Sequence, residues 1–421
     1  MRVDEDRLRE DLSRNGSFGR VDEAQGHGRT VLTGSTADEA ARDYFVERLR
    51  DAGLTVRVDD IGNIAGRWIP SCSDPDRPAV AAGSHLDSVP CGGIFDGPLG
   101  VYGALEAVRA MQEADLRLER PVEVVSFTEE EGQRFGVGLL GSAVAGNHVS
   151  ASDHLDLTDE TGRSLREYLD DIGYLGDSRL NAAEWTAWFE LHIEQGSVLE
   201  RNEVSAGIVT AIPGITNCNV CIEGEANHAG ATRMGERRDA LVAAACFVRA
   251  VERIASEVVA TESEYAVATV GEIDVEPNAR NVVPGRAELS IDARDVDGTV
   301  LDDLVETLRE RLEQLEDERG VETTLDRYHT DAPTWMSDRC RSALAEAAGQ
   351  MGIETMSFPS GGGHDTMKLA DSTDVGMLFA PSRDGISHSP REWTDWVDCR
   401  RSTEVLANAI ATTAGVAGED T

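Results

Sequence analysis

Short apolar runs typical of buried strands alternate along this chain with segments that have the pattern of helices. The clearest runs are PAVAAGSH (78–85), PVEVVSFT (121–128) and EWTAWFELHIE (184–194). Helices are predicted at 35–53 and from about Gly100 to Glu113, before and after the first run. Because an alternation of strand and helix generates parallel strands covered by helices, the sequence predicts an α/β fold with a mostly parallel central sheet and flanking helices.

The pattern changes from about residue 212, and a chain of 421 residues is too long for one compact core. The predicted order then becomes strand, helix, strand, strand, helix, which suits a small α+β domain with its helices on one face of an antiparallel sheet. Beyond residue 328 the alternation of helices and apolar runs resumes. We therefore predict a larger domain in two parts, 1–211 and 329–421, interrupted by an inserted domain at 212–328.

The chain is strongly acidic, with 78 Asp and Glu residues against 39 Lys and Arg residues and a formal net charge of −39. Such a charge repels nucleic acids and anionic membrane surfaces, so neither is an expected partner. The charge is spread along the sequence rather than gathered in a tail, which predicts a solvated acidic surface. Since salt screens repulsion between surface charges, our hypothesis is a halophilic protein from a salty cytoplasm.

Membrane insertion and export are not expected. No apolar run approaches the ~20 residues of a membrane-spanning helix, and the N-terminal segment MRVDEDRLREDL lacks the apolar core of a signal peptide. A cytoplasmic location is therefore the default expectation. The seven cysteines are scattered. Cys218 and Cys221 have no second pair with which to form a zinc site, so we interpret both as small core residues.

One glycine-rich stretch, AAGSHLDSVPCGGIFDGPLGV (81–101), brings a histidine and two aspartates close together after an apolar run. His85 ends the run, and Asp96 lies in the loop before the next predicted helix. Asp87 is suited to hold the imidazole of His85 in the tautomer that frees its other nitrogen for a metal. Glycines in the loop allow sharp turns and let the backbone approach the ions closely. The stretch therefore predicts part of a metal site.

Further metal-binding side chains follow other predicted strands. Parallel sheets place their functional groups at the carboxyl ends of the strands, and three more candidates occur there: the triplet Glu129, Glu130 and Glu131, then His192, then His388. Histidine nitrogen and carboxylate oxygen suit Zn²⁺ or a similar divalent ion in a hydrolytic site. A carboxylate such as Asp96 can bridge two ions through its two oxygens. One glutamate of the triplet can act as general base beside another that binds metal.

Each of these residues taken alone has a plainer interpretation. A single histidine at a strand end is more often a structural hydrogen-bonding residue. Three glutamates in so acidic a chain can simply begin a helix, where the helix dipole favours carboxylates. The combination favours a metal site, while the pattern alone leaves open which ligands share which ion. A dinucleotide site is rejected, because GVGLLG (136–141) has the glycine pattern of such sites but follows a charged loop instead of a strand.

Seven motifs together resemble the M20 metallopeptidase clan, and within it the branch of N-carbamoyl-L-amino-acid hydrolases, allantoate amidohydrolases and bacterial-type β-ureidopropionases. In chain order they are GSHLDSVPCGGIFDGPLGV, FTEEEGQRFG, ELHIEQG, NHAGATRM, PNARNVVPG, SGGGHDTM and ISHSPREWT. Aminopeptidases and deacetylases of the clan are less similar, because their second motif typically doubles the aspartate, whereas here Gly97 follows Asp96 directly. The resemblance implies a catalytic domain like that of the dinuclear zinc peptidases. It also implies that the inserted domain is a lid and dimerisation domain, and hence a homodimer.

The resemblance also implies roles for individual residues. One metal would be held by His85, Asp96 and His192. A second would be held by Asp96, Glu131 and His388, with Glu130 as general base and Glu129 in a non-catalytic place. The implied substrate-binding residues are Gln195, His228, Asn281, Arg294 and Gly363. His228 is suited to stabilise an oxyanion, and Arg294 to bind a substrate carboxylate through its forked guanidinium; a surface ion pair is the plainer interpretation of Arg294.

The implied reaction is metal-dependent hydrolysis of the ureido C–N bond of an N-carbamoyl-L-amino acid, yielding the amino acid, ammonia and carbon dioxide. Two divalent ions per subunit are implied, Zn²⁺ first, with Mn²⁺, Co²⁺ or Ni²⁺ as alternatives. Allantoate amidohydrolase, β-ureidopropionase and an M20-type peptidase or deacylase are alternative activities, and a metal-free binding scaffold is an alternative of another class. The sequence departs from the family pattern at Arg233, where proline is usual, and at Gly362, where alanine is common.

Overall fold

The structure, a computed structural model, describes residues 1–21 and 26–416. Residues 22–25 and 417–421, which belong to the two parts of the expected larger domain, lie outside the described ranges. Within those ranges, no helix combines the length and the apolar character needed to cross a membrane.

The chain forms two compact units. One is drawn from Met1–Thr210 and Trp335–Thr421, and the other is the continuous segment Ala211–Thr334. The predicted end of the inserted domain, residue 328, falls inside a strand of the second unit. This strand, Glu322–Asp331, stays paired with the strand Gly214–Glu223 as far as Asp331.

The strands and helices are numbered in chain order. The strands are β1 (Thr55–Val58), β2 (Ile64–Trp68), β3 (Ala79–His85), β4 (Val122–Phe127), β5 (Trp185–Ile193), β6 (Ala206–Val209), β7 (Ala211–Ile212), β8 (Gly214–Glu223), β9 (Asn227–His228), β10 (Val267–Glu276), β11 (Val282–Val283), β12 (Arg286–Asp295), β13 (Glu322–Asp331), β14 (Thr334–Trp335), β15 (Thr355–Phe358) and β16 (Val375–Ala380). The α-helices are α1 (Glu5–Asn15), α2 (Thr36–Asp51), α3 (Pro98–Glu113), α4 (Leu140–Ala145), α5 (Ala151–Leu155), α6 (Leu165–Asp171), α7 (Val198–Asn202), α8 (Ala240–Thr261), α9 (Gly298–Arg319), α10 (Asp338–Met351) and α11 (Trp396–Ala414). Short 3₁₀ helices occur at Ala182–Glu184, Met234–Glu236, Asp365–Lys368 and Arg383–Gly385.

The larger unit is built on an eight-stranded sheet with the order β1-β2-β4-β3-β5-β16-β6-β15. The central strands β4, β3, β5 and β16 are parallel to one another. Antiparallel pairs occur toward the edges, where β2 pairs with β1 and β4, and β6 pairs with β16. Helices α3 and α11 pack against each other and against the central strands. The predicted α/β fold with a mainly parallel central sheet is confirmed.

The central strands are apolar because both faces of the sheet are covered. Every residue of β3 and β4 is buried, as expected of parallel strands between helical layers. Helix α3 begins with Pro98, whose fixed φ suits the first helical turn, and it is buried along most of its length. The ends of these strands and the loop that leads into α3 are therefore held by a rigid, well-packed core.

The second unit has an antiparallel sheet with the order β10-β12-β8-β13. Helices α8 and α9 pack on each other and share one apolar core with alternate residues of β8 and β12. Burial alternates along these strands because only one face of the sheet is covered. Cys218 lies in that core, whereas Cys221 points to the opposite face and is partly exposed. The expectation that both are core residues is therefore wrong for Cys221.

Candidate metal centre

Four neighbouring parallel strands of the larger unit end at the same edge of the sheet, and the expected site residues lie at or just beyond these ends. His85 is the last residue of β3, and His192 is the last but one of β5. Glu130 and Glu131 follow the end of β4, and His388 lies in the loop after β16. The preference of functional groups for the carboxyl ends of parallel strands accounts for all five positions.

The carboxylate of Asp96 lies at the centre of this group. Its Oδ1 is 3.2 Å from Nε2 of His192 and 3.7 Å from Nε2 of His85. Its Oδ2 is 3.4 Å from Nε2 of His388, and this nitrogen is also 3.6 Å from Oε2 of Glu131. The two oxygens of Asp96 thus face different sets of side chains, which is the arrangement needed for one carboxylate to bridge two ions.

Two groups of potential metal ligands therefore share one residue. The first consists of His85, Asp96 and His192, and the second of Asp96, Glu131 and His388. Within each group the ligand atoms lie within 4.8 Å of one another. The first group is buried, whereas the side chain of His388 is 51% exposed, so the second group is the more open to solvent. Nitrogen and oxygen ligands without a thiol suit Zn²⁺ and related divalent ions.

The surroundings of Nε2 of His85 show whether a metal ion fits between the candidate ligands. The atom is buried and has no hydrogen-bond partner among the described residues. It faces Oδ1 of Asp96 at 3.7 Å and Oε2 of Glu130 at 3.6 Å, both too long for hydrogen bonds. Because a buried polar atom without a partner is destabilising by about 1–3 kcal/mol, this nitrogen needs a further partner. The donor set and the unpaired nitrogen together fit a divalent metal ion.

Asp87 organises the strand ends around His85. Nδ1 of His85 faces the main-chain oxygen of Asp87 at 3.2 Å and its Oδ1 at 3.5 Å, which leaves Nε2 directed at the cluster. The Asp87 carboxylate also accepts hydrogen bonds from the main-chain N–H groups of Glu130 and Glu131, at 3.2 and 3.1 Å. Asp87 therefore fixes the backbone of two glutamates as well as the imidazole for which the sequence singled it out.

The charges in this cluster shift the protonation of their neighbours. Burial raises the pKa of Glu130 well above its ordinary value; His85 opposes the shift and Glu131 adds to it. Burial and the nearby Asp96 raise the pKa of Glu131 to about 7. The contact with Asp96 raises the pKa of His388 to about 9. The cluster by itself therefore holds protons that a bound cation would displace.

Three backbone positions around the centre occupy the left-handed region that residues other than glycine rarely adopt. His388 has a φ of 51°, Glu129 a φ of 55° and Gln195 a φ of 56°. Such conformations cost of order 1–3 kcal/mol each and cluster at functional sites. The side chain of Glu129 accepts hydrogen bonds from the main-chain N–H groups of Arg134 and Phe135, so it closes the turn that follows β4.

Two of the expected substrate residues, Gln195 and Gly363, lie in the larger unit. Nε2 of Gln195 donates hydrogen bonds to Oδ2 of Asp96 at 2.8 Å and to Oγ of Ser387 at 3.2 Å, so this amide contacts the centre of the cluster. Gly363 lies in the loop after β15, next to Gly362. A Cβ atom on Gly362 would be 3.4 Å from Oε1 of Gln195. That is an ordinary van der Waals distance, so the alanine common at this position in the family would also fit.

The remaining expected substrate residues, His228, Asn281 and Arg294, lie in the second unit. The pairing of β9 with β11 places His228 opposite Val282, so His228 and Asn281 are neighbours. Arg294 is near the end of β12, where its Nε donates to Oδ1 of Asp292 at 2.8 Å. The plainer interpretation of Arg294, an ion pair, is therefore present in the structure.

The ring of His228 has a defined tautomer. Its Nδ1 accepts hydrogen bonds from the main-chain N–H groups of Gly230 and Ala231, both at 3.1 Å. The proton of the neutral ring is therefore on Nε2. Since the residue is exposed, this N–H is accessible to a ligand as a hydrogen-bond donor.

The cluster contains further residues that the sequence did not single out. The ring of His364 contacts that of His192 edge to face, with 4.6 Å between the centroids. Glu190 accepts hydrogen bonds from the hydroxyl groups of Ser84 and Thr366, at 2.8 and 2.6 Å. His364 belongs to the SGGGHDTM motif, which could have indicated it. For Glu190 the only signal was its place in an apolar strand, two residues before His192 and on the same face.

Residues 81–412 match a known protein family, described as peptidase family M20/M25/M40. The match spans all the candidate ligands, from His85 to His388. The chain belongs to peptidase family M20/M25/M40. The resemblance drawn from the sequence motifs is thus confirmed at the level of the family.

Relatives of this M20 protein place it in the carbamoylase and ureidohydrolase branch. An N-carbamoyl-L-amino-acid amidohydrolase of Paenarthrobacter aurescens is 39% identical over 391 residues, which cover 92% of this chain and 93% of the relative. An allantoate amidohydrolase of Bacillus subtilis is 36% identical over 81% of this chain and 82% of its own length. The crystal structure of an amidase of the hydantoinase/carbamoylase family from Burkholderia multivorans covers 98% of both chains, with a TM-score of 0.92 and 36% identity.

Proposed function

We propose that this M20 protein is a metal-dependent amidohydrolase that cleaves the ureido C–N bond of an N-carbamoyl-L-amino acid. The observation that carries the proposal is the arrangement around Asp96. Two groups of potential ligands share this carboxylate, and a further glutamate, Glu130, lies beside His85 without belonging to either group. Two relatives named as N-carbamoyl-L-amino-acid amidohydrolases, each 39% identical to this chain, support the substrate class.

The candidate ligands would hold two divalent ions, one in each group, and bound ions of this kind polarise a substrate carbonyl and activate water. The ligands are His85, Asp96, His192, Glu131 and His388. Glu130 would act as the general base, because its carboxylate lies beside His85 and is in neither ligand group. Asp87 supports this role, because it holds the main-chain N–H of Glu130.

The reaction consumes one water molecule for each substrate. The oxygen of the water bonds to the ureido carbon, and Glu130 accepts a proton from this water. The bond between that carbon and the nitrogen of the amino acid then breaks, and Glu130 gives the proton to this nitrogen. The products are the free amino acid and carbamic acid, which decomposes to ammonia and carbon dioxide.

The expected substrate residues would bind the rest of the molecule. His228 would donate from Nε2 to the oxygen that gains negative charge, since its Nδ1 is already an acceptor. Asn281 and Arg294 would bind the substrate carboxylate, and the pairing of Arg294 with Asp292 would orient the guanidinium for it. Gln195 and Gly363 would complete the binding residues.

Several finer properties belong to the same proposal. We propose Zn²⁺ first, because a site of histidine and carboxylate ligands suits this ion. Mn²⁺, Co²⁺ or Ni²⁺ are the alternatives. We also propose a homodimer formed through the inserted unit, which would serve as the lid, and a halophilic, cytoplasmic protein. Their supports are the family membership and the net charge of −39.

A side-by-side substrate assay tests the proposed function. Metal-reconstituted protein in high salt would be given several N-carbamoyl-L-amino acids, N-carbamoyl-β-alanine, allantoate, an N-acetyl amino acid and a dipeptide. We expect the highest kcat/KM with an N-carbamoyl-L-amino acid. A higher value with allantoate or N-carbamoyl-β-alanine would assign another activity of the same branch. A higher value with the N-acetyl amino acid or the dipeptide would replace the proposal with a deacylase or peptidase.

A further inference from the structure

Two loops that carry candidate ligands meet at one buried carboxylate, that of Glu392. Its Oε1 accepts hydrogen bonds from the main-chain N–H groups of Phe95 and Asp96, at 2.9 and 3.2 Å. Glu392 itself is four residues beyond His388, in the loop after β16, and it is 1% exposed. A single side chain therefore ties the backbone of the Asp96 loop to the loop of His388.

A shared hydroxyl group strengthens the same connection. Oγ of Ser387 is 2.7 Å from Oδ2 of Asp96 and 3.4 Å from Oε2 of Glu392. Because a hydroxyl has one proton to donate, the shorter contact is the hydrogen bond that forms, and it orients the Asp96 oxygen that faces His388. Glu392 thus fixes the backbone of Asp96, and Ser387, the residue before His388, fixes the side chain of Asp96.

The Asp96 loop has no side chain at the point where Glu392 reaches it. A Cβ atom on Gly93 would lie 2.0 Å from Oε1 of Glu392, which is far inside van der Waals contact. The carboxylate therefore rests directly on bare backbone. Any side chain at position 93 would push the carboxylate away from the N–H groups of Phe95 and Asp96 that it binds.

Arg29 holds the same loop from its other side. This guanidinium is completely buried; its Nε donates to the main-chain oxygen of Gly93 at 3.0 Å, and its Nη2 donates to that of Leu86 at 3.1 Å. Arg29 and Glu392 also attract each other electrostatically. The loop that contains Asp87 and Asp96 is thus held between a buried cation and a buried carboxylate, neither of which is one of the candidate metal ligands.

We propose that Glu392 is a positioning residue for the metal centre: it sets the place of the Asp96 carboxylate relative to His388, so that both can bind the same ion. This inference rests on the metal-dependent function proposed above. Residues that orient metal ligands typically change metal affinity by about 10–100-fold when they are removed. Removing a purely structural glutamate would instead lower the stability of the fold and leave the affinity for metal unchanged.

The test compares Glu392→Ala and Glu392→Gln with variants of Glu106. Glu106 is the matched control, because it is also a buried glutamate that accepts a main-chain hydrogen bond, from Asp4, and it pairs with Arg7 away from the cluster. Each metal-free protein would be titrated with Zn²⁺ against a competing chelator, and its unfolding midpoint and bound metal would be measured. No assay of turnover is needed.

We expect Glu392→Ala to lower the affinity for at least one Zn²⁺ by 10-fold or more. Glu392→Gln should recover most of it, since its amide oxygen can still accept from Phe95 and Asp96. Glu106→Ala should lower the unfolding midpoint but bind Zn²⁺ like the wild type. If Glu392→Ala does not fold, Gly93→Ala gives the same reading, because it displaces the carboxylate without removing it. Wild-type affinity in folded Glu392→Ala or Gly93→Ala would overturn the inference alone, whereas a wild-type protein that binds no ion would overturn the proposed function with it.

Discussion

The imidazole of His85 lies directly against the backbone of Gly97. Gly97 has a φ of 79°, and a Cβ atom added to it would lie 2.5 Å from Cε1 of His85. The loop therefore needs a glycine here both for its conformation and for the space that the ring occupies. The sequence predicted close approach of the backbone to ions in this loop; at Gly97 the backbone approaches a candidate ligand instead.

Replacing Gly97 with alanine should therefore disturb the metal centre. The added methyl group displaces the His85 ring, so we expect Gly97→Ala to lower the affinity for Zn²⁺ by at least 10-fold, by analogy with other changes to ligand orientation. Gly162→Ala is the matched control, since Gly162 also has a positive φ, 83°, but its Cβ would meet nothing within 4 Å. The control should lose about 1–2 kcal/mol of stability, the cost of a left-handed conformation for a residue with a Cβ atom, and keep its affinity for Zn²⁺. Equal metal affinity in the two variants would contradict this explanation of Gly97.

Glu130→Gln should separate metal binding from catalysis. The amide keeps the size of the side chain but cannot accept the proton, so kcat should fall by about 10²–10⁴ while bound metal stays nearly constant. Glu129→Gln is the comparison, because Glu129 serves the turn after β4 through its contacts with Arg134 and Phe135. A Glu130→Gln enzyme that turns over at nearly the wild-type rate would remove Glu130 from the role of base.

The number of bound ions should depend on which ligand is removed. His388 belongs to one ligand group, whereas Asp96 belongs to both. We therefore expect His388→Ala to retain about one ion of the two proposed for the wild type, and Asp96→Ala to retain neither. Elemental analysis after gel filtration measures this, with His154→Ala as a histidine variant outside the cluster. Equal losses in His388→Ala and Asp96→Ala would argue against a shared carboxylate.

The affinity for metal should rise with pH. In the metal-free protein, the contact with Asp96 raises the pKa of His388 to about 9, and burial raises the pKa of Glu131 to about 7. Both groups must lose a proton before they can bind an ion. Below the pKa of each group, its deprotonated fraction rises about 10-fold per pH unit. Each of the two groups should therefore raise the apparent affinity for metal about 10-fold per pH unit there. Chelator competition at pH 6, 7 and 8 measures the slope, and an affinity independent of pH in this window would contradict the assignment of these two residues as ligands.

Salt should stabilise the fold. The excess of acidic side chains behind the net charge of −39 causes repulsion across the surface at low ionic strength. Salt weakens this repulsion, because the screening length falls from about 10 Å at 0.1 M salt to about 3 Å at 1 M. We expect the thermal unfolding midpoint to rise as KCl is increased from 0.1 to several molar. KCl is preferred to a sulfate salt, because sulfate strengthens apolar burial in any protein. A midpoint that does not change with KCl would count against halophilic adaptation.

The sequence predicted the sheet and the places of the candidate ligands because both follow from local patterns. Apolar runs such as 78–85 and 121–128 are typical of buried strands in a covered parallel sheet, and polar residues at the carboxyl ends of such strands lie on one edge. That rule required no knowledge of tertiary contacts, so His85 and His192 could be named as candidates, although only their combination with the other polar residues favoured a metal site. The prediction failed for Cys221, because side chains alternate along β8 and this residue lies on the face opposite to Cys218 and the core.

The residues that hold the ligands in place could not be predicted in the same way. Arg29 lies in no strand-end position, and its three main-chain acceptors come from a loop more than fifty residues away. The left-handed backbone of His388 could not be predicted either, because only a few per cent of residues other than glycine have a positive φ. Glu392 lay within a recognised motif, but only the folded structure shows that it binds the backbone of Asp96.

The order of the strands has a consequence for when the protein becomes able to bind metal. β16 lies between β5 and β6, although both of these precede it in the chain, and His388 and Glu392 come after β16. Synthesis must therefore pass residue 380 before the middle of this sheet can close. The group of Asp96, Glu131 and His388 is thus completed only late in synthesis, and a truncated translation product that ends before residue 375 lacks both β16 and His388.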